Sequence, residues 1–220
     1  NAFELNDEQI IFDVVANNME SGKIPVAGLT VQNLLNASVR NRLIAPSELR
    51  RYTMNLPTNL NRSKVVNVTK FSLTDDQDKR SLTVELPTVS PLVKGQKYCF
   101  VYLWAPHLSG NASFGHMGLI KKNVCEDKQS ILTWQVDNHF PSEPIFVPKP
   151  NSTAADEDDG VILSVVWDGN RGANYLVIID GKTMKTVATL YCTGDWSHVM
   201  SFGIHGRFFP STTCKSQENK

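Results

Sequence analysis

The sequence lacks the features that define several large classes of protein. Apolar runs such as Val161–Leu163 and Tyr175–Ile179 have the length of strands, and none reaches the ~18 consecutive apolar residues of a membrane-spanning helix. Charge of one sign is not in excess either, because 22 Lys and Arg balance 22 Asp and Glu. A nucleic-acid binder needs a basic face to displace counterions, so we expect no nucleic-acid partner.

Common catalytic signatures are also missing. The sequence contains no GxSxG, no P-loop and no GxGxxG, so nucleophilic hydrolysis and phosphate cradling have no support. The histidines match no standard zinc signature and stand at scattered positions: His107, His116, His139, His198 and His205. For a histidine taken alone, the simplest interpretation is a surface or hydrogen-bonded core imidazole.

Cysteine is scarce, with four residues in the chain: Cys99, Cys125, Cys192 and Cys214. No two of them are close in sequence, which excludes a zinc ribbon and a redox CxxC motif. We therefore expect reduced, structural thiols. Glycan acceptor motifs of the type Asn-x-Ser/Thr occur at Asn36, Asn61, Asn67, Asn111 and Asn151. They keep a secreted, glycosylated, β-rich binding module open as an alternative.

What the chain does contain is 41% hydrophobic residues, enough for a globular core, arranged in short runs between turn residues. These runs predict an all-β protein, and the clearest hairpin is Tyr175–Tyr191 with its turn at Asp180–Thr183. Strands about ten residues apart are typical of a sandwich, barrel or propeller. The predicted strands are Gln9–Ala16, Lys64–Leu73, Ser81–Glu85, Tyr98–Trp104, Gly115–Lys121, Ile131–Val136, Ile145–Val147, Val161–Trp167, Tyr175–Asp180, Thr186–Tyr191 and Met200–Ile204.

Three segments stand apart from this pattern. Ala27–Ala37 predicts a short helix with an imperfect apolar stripe. The acidic run within Asn151–Asp159 predicts a solvated loop. We divide the chain into one domain, residues 1–211, and a polar tail, residues 212–220.

Two residues have settings that favour chemistry. His205 lies in Phe202–Gly206 (FGIHG), where the flanking glycines clear space beside the imidazole, as suits a metal ligand. Glu143 stands between Pro141 and Pro144 at the entry to an apolar strand, so its direction is preset. A carboxylate held in this way can orient an imidazole by accepting the N–H that is not used for a metal. The simpler alternative for Glu143 is a surface residue at a strand entry.

These segments resemble a known family. Pro141–Pro148 (PSEPIFVP), Asp156–Val166, the hairpin Asn174–Ala188 and Phe202–Gly206 occur in the order and spacing of the C-terminal part of the carotenoid cleavage oxygenases. Asn1–Glu4 (NAFE) is similar to the segment that follows an iron-binding histidine in that family. The resemblance touches nearly the whole chain and corresponds to the last two-fifths or so of a family member.

The resemblance implies a fold and a metal site. The family fold is a seven-bladed β-propeller, of which this chain would form about three blades. Fe(II) sits on its axis, held by four histidines, of which His205 matches the last and the other three lie before Asn1. Glu143, and with less support Glu85 in Glu85-Leu86-Pro87, match carboxylates that hydrogen-bond the ligand imidazoles.

The resemblance also implies an activity: O₂ is inserted across a conjugated double bond of a carotenoid or apocarotenoid, giving aldehydes or ketones. The partners would be that substrate and O₂, with membrane docking through segments upstream of this chain and an intracellular, cytosolic or mitochondrial location. The alternative within the family is isomerohydrolysis of a retinyl ester. Because one imidazole cannot hold Fe(II), we predict that the 220-residue chain alone aggregates or binds no stoichiometric iron.

Overall fold

The computed structural model describes residues 1–17, 36, 38–39, 45, 47–56, 67–72, 83–107, 116–125, 131–191 and 205–209. Three predictions lie largely or wholly outside these residues: the helix at Ala27–Ala37, the strand at Met200–Ile204 and the tail at residues 212–220. Within the described part of the chain, no helix is long and apolar enough to cross a membrane.

In the part of the chain that the structure describes, thirteen strands form three antiparallel sheets that follow one another along the sequence. Sheet 1 contains β1 (Ala2–Asn6), β2 (Gln9–Asn17), β3 (Ser47–Asn55) and β4 (Asn67–Ser72) in that spatial order. Sheet 2 contains β5 (Thr83–Thr88), β6 (Phe100–His107), β7 (Gly118–Asn123) and β8 (Ile131–Gln135). Sheet 3 contains β10 (Ile145–Pro148), β11 (Gly160–Asp168), β12 (Ala173–Asp180) and β13 (Thr186–Tyr191), with β9 (His139–Pro141) also paired to β11. Successive four-stranded meanders of this kind are the blades of a propeller.

Most predicted strands are confirmed to within a few residues, but β1, β3 and β9 were not predicted. Strand β3 reads Ser-Glu-Leu-Arg-Arg-Tyr-Thr-Met-Asn and carries no apolar alternation. It nevertheless pairs along its whole length with β2. Its two arginines interrupt any apolar pattern. Arg51 pairs with Asp13 of the neighbouring strand β2, and Arg50 pairs with Glu48 of β3 itself.

Sheet 2 is buried on both faces because it lies between the other two sheets. Val101, Leu103 and Ala105 of β6 belong to a core shared with sheet 1. Tyr102 and Trp104, which alternate with them, belong to a core shared with sheet 3. Neighbouring side chains of a strand point to opposite faces, so the unbroken apolar run of β6 is what a central layer requires.

An ion pair within sheet 1 is connected to sheet 2 by a tyrosine. The Arg51 guanidinium donates from Nε and Nη2 to the two carboxylate oxygens of Asp13, at 2.8 and 2.7 Å. The Tyr98 hydroxyl of the segment preceding β6 also donates to this carboxylate. Burial, with the Asp13 charge, raises the pKa of Tyr98, which keeps the hydroxyl protonated as a donor.

The acidic loop before β11 joins the second sheet to the third. Thr153–Asp156 are exposed, as predicted for a solvated loop, but the prediction is wrong for Glu157. Glu157 is buried, and its Oε1 accepts the main-chain N–H groups of Cys99 (2.7 Å) and Phe100 (3.1 Å). Asp158 pairs with the Lys121 ammonium at 2.7 Å. The loop is acidic because sheet 2 presents N–H groups and an ammonium to it.

Two of the four cysteines form a disulfide, so the expectation of reduced thiols is wrong for them. Cys99 lies just before β6 and Cys125 lies just after β7, and the two sulfurs are bonded, with Cα atoms 4.9 Å apart. The pairing of Phe100 with Asn123 brings the two strand ends together. A separation of 26 residues hid the pair, since only the hairpin register makes them neighbours. Cys192 and Cys214 lie outside the described residues.

Candidate functional site

The site begins at an irregularity in sheet 3. Strands β9 and β10 pair with the same strand β11, through Pro141 opposite Val166 and Ile145 opposite Leu163. Residues 142–144 therefore face only residues 164–165, which is one extra residue on the side of the glutamate. Bulges of this kind re-aim side chains next to functional sites. Pro144 favours the bulge because it has no N–H to give to the ladder.

Glu143 sits within this bulge, and its carboxylate reaches residues far along the chain. Its Oε2 lies 3.2 Å from Nδ1 of His205 and accepts the main-chain N–H of Gly206 at 3.0 Å. The sequence prediction that Glu143 can hold an imidazole therefore agrees with the position of the two groups. Their roles in metal binding stay predictions.

The contact determines which nitrogen of His205 remains available. An ionised carboxylate only accepts hydrogen bonds, so the proton of the neutral imidazole is assigned to Nδ1. The lone pair is then on Nε2. Because the His205 side chain is 75% exposed and that of Glu143 is 20% exposed, the imidazole projects from the sheet while the carboxylate stays close to it. An oriented, neutral imidazole of this kind suits metal ligation.

A cavity of about 170 Å³ adjoins the pair. Ile145, Leu163 and Leu176 form its apolar wall, and Ser142, Glu143, Ser164 and His205 supply its polar groups. A Cβ at Gly206 would lie 2.6 Å from Cδ1 of Ile145, so a larger residue there requires the end of Ile145 to move. This close approach agrees with the expectation that glycine clears space beside His205. Gly203 lies outside the described residues.

Glu85 occupies a different place. It lies in β5 opposite Trp104, and burial raises the pKa of its carboxyl, with a smaller opposing contribution from Ser47. Between this carboxylate and either Glu143 or His205, the described residues show no hydrogen bond or ion pair. Its proposed contact with a ligand imidazole stays a prediction. Over the same residues, no three His, Cys, Asp or Glu side chains gather in a way that could hold a metal ion.

His139, which precedes Glu143 by four residues, belongs to a separate cluster at the other end of β9. Its Nδ1 lies 2.7 Å from the Tyr175 hydroxyl, and its Nε2 lies 3.5 Å from Asp168. Burial alone would raise the pKa of Asp168, but hydrogen bonds from Tyr191 and from main-chain N–H groups hold it below its usual value. This histidine is a satisfied core residue, as the simplest interpretation predicted.

Sequence reasoning missed two residues next to the pair, Ser142 and Ser164. Both are buried, and the Ser164 hydroxyl donates to the main-chain carbonyl of Ser142 at 3.0 Å. The available signal was a serine in the middle of the apolar run Val-Ile-Leu-Ser-Val-Val. A polar side chain in such a run must have a partner, since an unbonded buried hydroxyl is costly.

Comparison with known protein families shows to which family the chain belongs. The family model described as retinal pigment epithelial membrane protein matches residues 1–210. The chain belongs to the carotenoid cleavage oxygenase family. The expectation drawn from Pro141–Pro148 and Phe202–Gly206 is thereby confirmed.

Curated members of the carotenoid cleavage oxygenase family match at moderate identity. The chain is 36% identical over 133 residues to beta,beta-carotene 15,15'-dioxygenase of Gallus gallus, covering 58% of this chain and 22% of that protein. It is 35% identical over 118 residues to the mitochondrial carotenoid-cleaving dioxygenase of Homo sapiens, covering 53% and 18%. A chloroplastic carotenoid cleavage dioxygenase of Arabidopsis thaliana is 29% identical over 141 residues, covering 64% and 23%. The matched part of the chain spans about a fifth of the length of these relatives.

Solved structures of the carotenoid cleavage oxygenase family agree. A cobalt-substituted apocarotenoid oxygenase of Synechocystis superposes with a TM-score of 0.61 and 26% identity, covering 86% of this chain and 35% of that one. The three sheets are therefore consecutive blades of part of a β-propeller, as the sequence predicted.

Proposed function

We propose that the chain is part of an iron-dependent dioxygenase that uses O₂ to cleave a conjugated double bond of a carotenoid or apocarotenoid into aldehydes or ketones. The observation that carries the proposal is the His205 imidazole, whose Nδ1 contacts Glu143 and whose Nε2 is left for a metal. The names of the relatives as carotenoid dioxygenases support the substrate class. Since the match spans only 23% and 22% of two of those relatives, the activity is proposed for a whole family member and not for this chain alone.

The residues present fit one corner of an iron site. A neutral imidazole is a normal ligand of Fe(II), and its N–H donates to a carboxylate, as ligand histidines usually do. The other three imidazoles would come from residues before Asn1, as the resemblance implies. A neighbouring structure described as cobalt-substituted supports a divalent metal site. Bound iron would supply the O₂ chemistry that amino-acid side chains lack.

The chain's own residues would orient the ligand imidazoles and exclude water from the metal. Glu143 would fix the His205 ring and its tautomer, and Glu85 is proposed to do the same for another ligand imidazole. The apolar wall of Ile145, Leu163 and Leu176 would keep water from the metal and contact an apolar polyene. We further infer an intracellular protein that docks on membranes through upstream segments; the naming of relatives as mitochondrial or chloroplastic supports an organellar or cytosolic setting.

The test is the iron content and the product spectrum of the full-length protein. We expect one iron per protein and aldehyde or ketone products from a carotenoid or apocarotenoid. A retinyl ester offered in parallel distinguishes isomerohydrolysis from cleavage. His205→Ala should abolish both iron binding and cleavage.

His116→Ala is the matched control, because His116 contacts Gln135 at 3.1 Å and has no contact with Glu143 or His205 in the described residues. This variant should keep its iron. Full iron content in His205→Ala would overturn the proposal.

A further inference from the structure

We propose that Ser164 is a positioning residue for the Glu143–His205 pair. Its hydroxyl fixes the bulge at residues 142–144 and thereby the direction of the Glu143 carboxylate. The inference rests on the proposed function, because it concerns the same imidazole. It adds a residue that lies on a neighbouring strand and touches neither the imidazole nor Glu143 in any contact that the structure records.

The contact that carries the inference is buried. Ser164 is 1% exposed, and its Oγ lies 3.0 Å from the main-chain oxygen of Ser142. Two other acceptors lie farther away, the carbonyl of Val165 at 3.4 Å and the hydroxyl oxygen of Ser142 at 3.5 Å. A hydroxyl has one proton to donate, and the shortest distance assigns it to the Ser142 carbonyl.

The Ser164 hydroxyl is the donor that the structure records for the Ser142 carbonyl. Around the bulge, the N–H of Ser142 donates to the Val165 carbonyl at 2.8 Å, which keeps one ladder bond. Pro144 has no N–H to give to a carbonyl of β11, so the ladder is interrupted before Ile145. Without Ser164, the carbonyl of Ser142 would be a buried acceptor with its partner removed, which is a costly state that the backbone relieves by turning.

A rotation of the peptide between Ser142 and Glu143 would move the Glu143 carboxylate, which contacts His205. The Ser142 carbonyl belongs to the peptide that leads directly into Glu143, so its orientation sets the start of the Glu143 side chain. The carboxylate lies 3.2 Å from Nδ1 of His205, at the long end of N–H···O hydrogen bonds, and 3.0 Å from the main-chain N of Gly206, which is an ordinary distance. A small displacement at residue 142 is therefore enough to release the imidazole.

The experiment compares metal affinity in the full-length protein, measured by equilibrium dialysis of the metal-free protein against Fe(II) and, separately, Co(II). We expect Ser164→Ala to weaken binding by about tenfold, the lower end of the loss seen when a partner of a ligand is removed. Ser142→Ala is the matched control. It removes a hydroxyl of equal size that lies 3.5 Å from Ser164 Oγ but leaves the main-chain carbonyl in place, so affinity should stay near that of the unaltered protein.

A double-mutant cycle separates positioning from general stability. If Ser164 acts through the carboxylate, Ser164→Ala should cost little further affinity in a Glu143→Gln background. The thermal midpoint of the metal-free protein should fall more in Ser164→Ala than in Ser142→Ala, because only the first change leaves the buried Ser142 carbonyl without its donor.

Equal metal affinity in Ser164→Ala and the unaltered protein would overturn the inference and leave the proposed function standing. Full additivity with Glu143→Gln would also overturn it, because Ser164 would then act elsewhere. An unaltered full-length protein that binds neither metal overturns the proposed function and this inference with it.

Discussion

Two glutamates of the third sheet region, Glu143 and Glu157, use a carboxylate in the same way but in opposite surroundings. Each accepts two hydrogen bonds on a single oxygen from residues distant in the sequence. Glu157 is only 8% exposed, and its Oε2 has no hydrogen-bond partner in the part of the chain that the structure describes. The Glu143 side chain is more open, and one of its partners is an imidazole that projects from the sheet.

The difference teaches which carboxylate is structural. Glu157 receives main-chain N–H groups of a neighbouring blade, and such donors cannot leave without disturbing that blade. Glu143 receives one main-chain N–H, that of Gly206, and one side chain that can turn, the His205 imidazole, so it governs the orientation of that imidazole. The comparison predicts that changes at the acidic loop alter stability, whereas changes at Glu143 alter metal affinity.

Near Glu157, we expect the largest loss of stability from removal of the disulfide, because its Cys99 donates a main-chain N–H to Glu157. Replacing either Cys99 or Cys125 by serine should lower the unfolding free energy by about 3 kcal/mol, the entropic value for a loop of this length. Chemical denaturation of the full-length protein checks this. The double variant should be no less stable than each single one, because one bond is lost in every case.

If both cysteines react with an alkylating reagent in protein purified without reductant, the bond is absent and this prediction is contradicted.

The next test removes each of the two carboxylates in turn, by Glu157→Ala and by Glu143→Ala. Glu157→Ala leaves the N–H groups of Cys99 and Phe100 without their acceptor, which should cost about 1–3 kcal/mol of stability. Hydrogen–deuterium exchange at these two amides should become faster, while metal affinity changes little.

Glu143→Ala is the control for Glu157→Ala. In metal-free protein its stability should change by less than about 0.5 kcal/mol, as for other partly exposed residues away from the core. A stability loss as large as that of Glu157→Ala would remove the distinction between the two sites.

The smallest expected effect concerns pH. Burial raises the pKa of Glu157 above the usual value of 4.5, against the opposing effect of the Cys99 and Phe100 N–H groups. The folded state therefore holds a proton to higher pH than the unfolded chain, and stability falls as pH rises from about 4.5 to the folded-state pKa. Above that pKa, the whole cost of the buried charge is present.

Glu157→Gln has no proton to lose, so its unfolding midpoint should decline less steeply than that of the unaltered protein from pH 4.5 upward. Denaturation series at several pH values measure the two slopes. Identical slopes would show that Glu157 ionises in the folded state as easily as in the unfolded chain.

How far the sequence could predict the molecule depended on whether each residue's partners were local. The strand around Tyr102 was predictable because both faces of β6 are apolar. Glu143 was noticeable because prolines flank it, and those same prolines make the bulge. Glu157 gave no such indication, since an acidic loop reads as solvated until sheet 2 is placed beside it.

Longer-range pairings were out of reach for the same reason. Arg51 pairs with Asp13, which lies 38 residues away in the sequence. This ion pair neutralises an arginine of strand β3, so that the strand can pair with β2. Cys99 finds Cys125 only through the β6–β7 register. Ser164 could be recognised as unusual in an apolar run, but its acceptor is a carbonyl that exists in that place only because the ladder is interrupted.

The Cys99–Cys125 bond has a topological consequence as well. It closes the β6–β7 hairpin into a covalent ring, with the rest of the chain attached on either side. A single backbone cut anywhere between residues 99 and 125 would therefore leave one molecule, not two. Sheet 2, the middle blade of this chain, contacts both of its neighbours. A cut in the connection between β6 and β7 would leave Glu143 and His205 covalently joined to sheet 1.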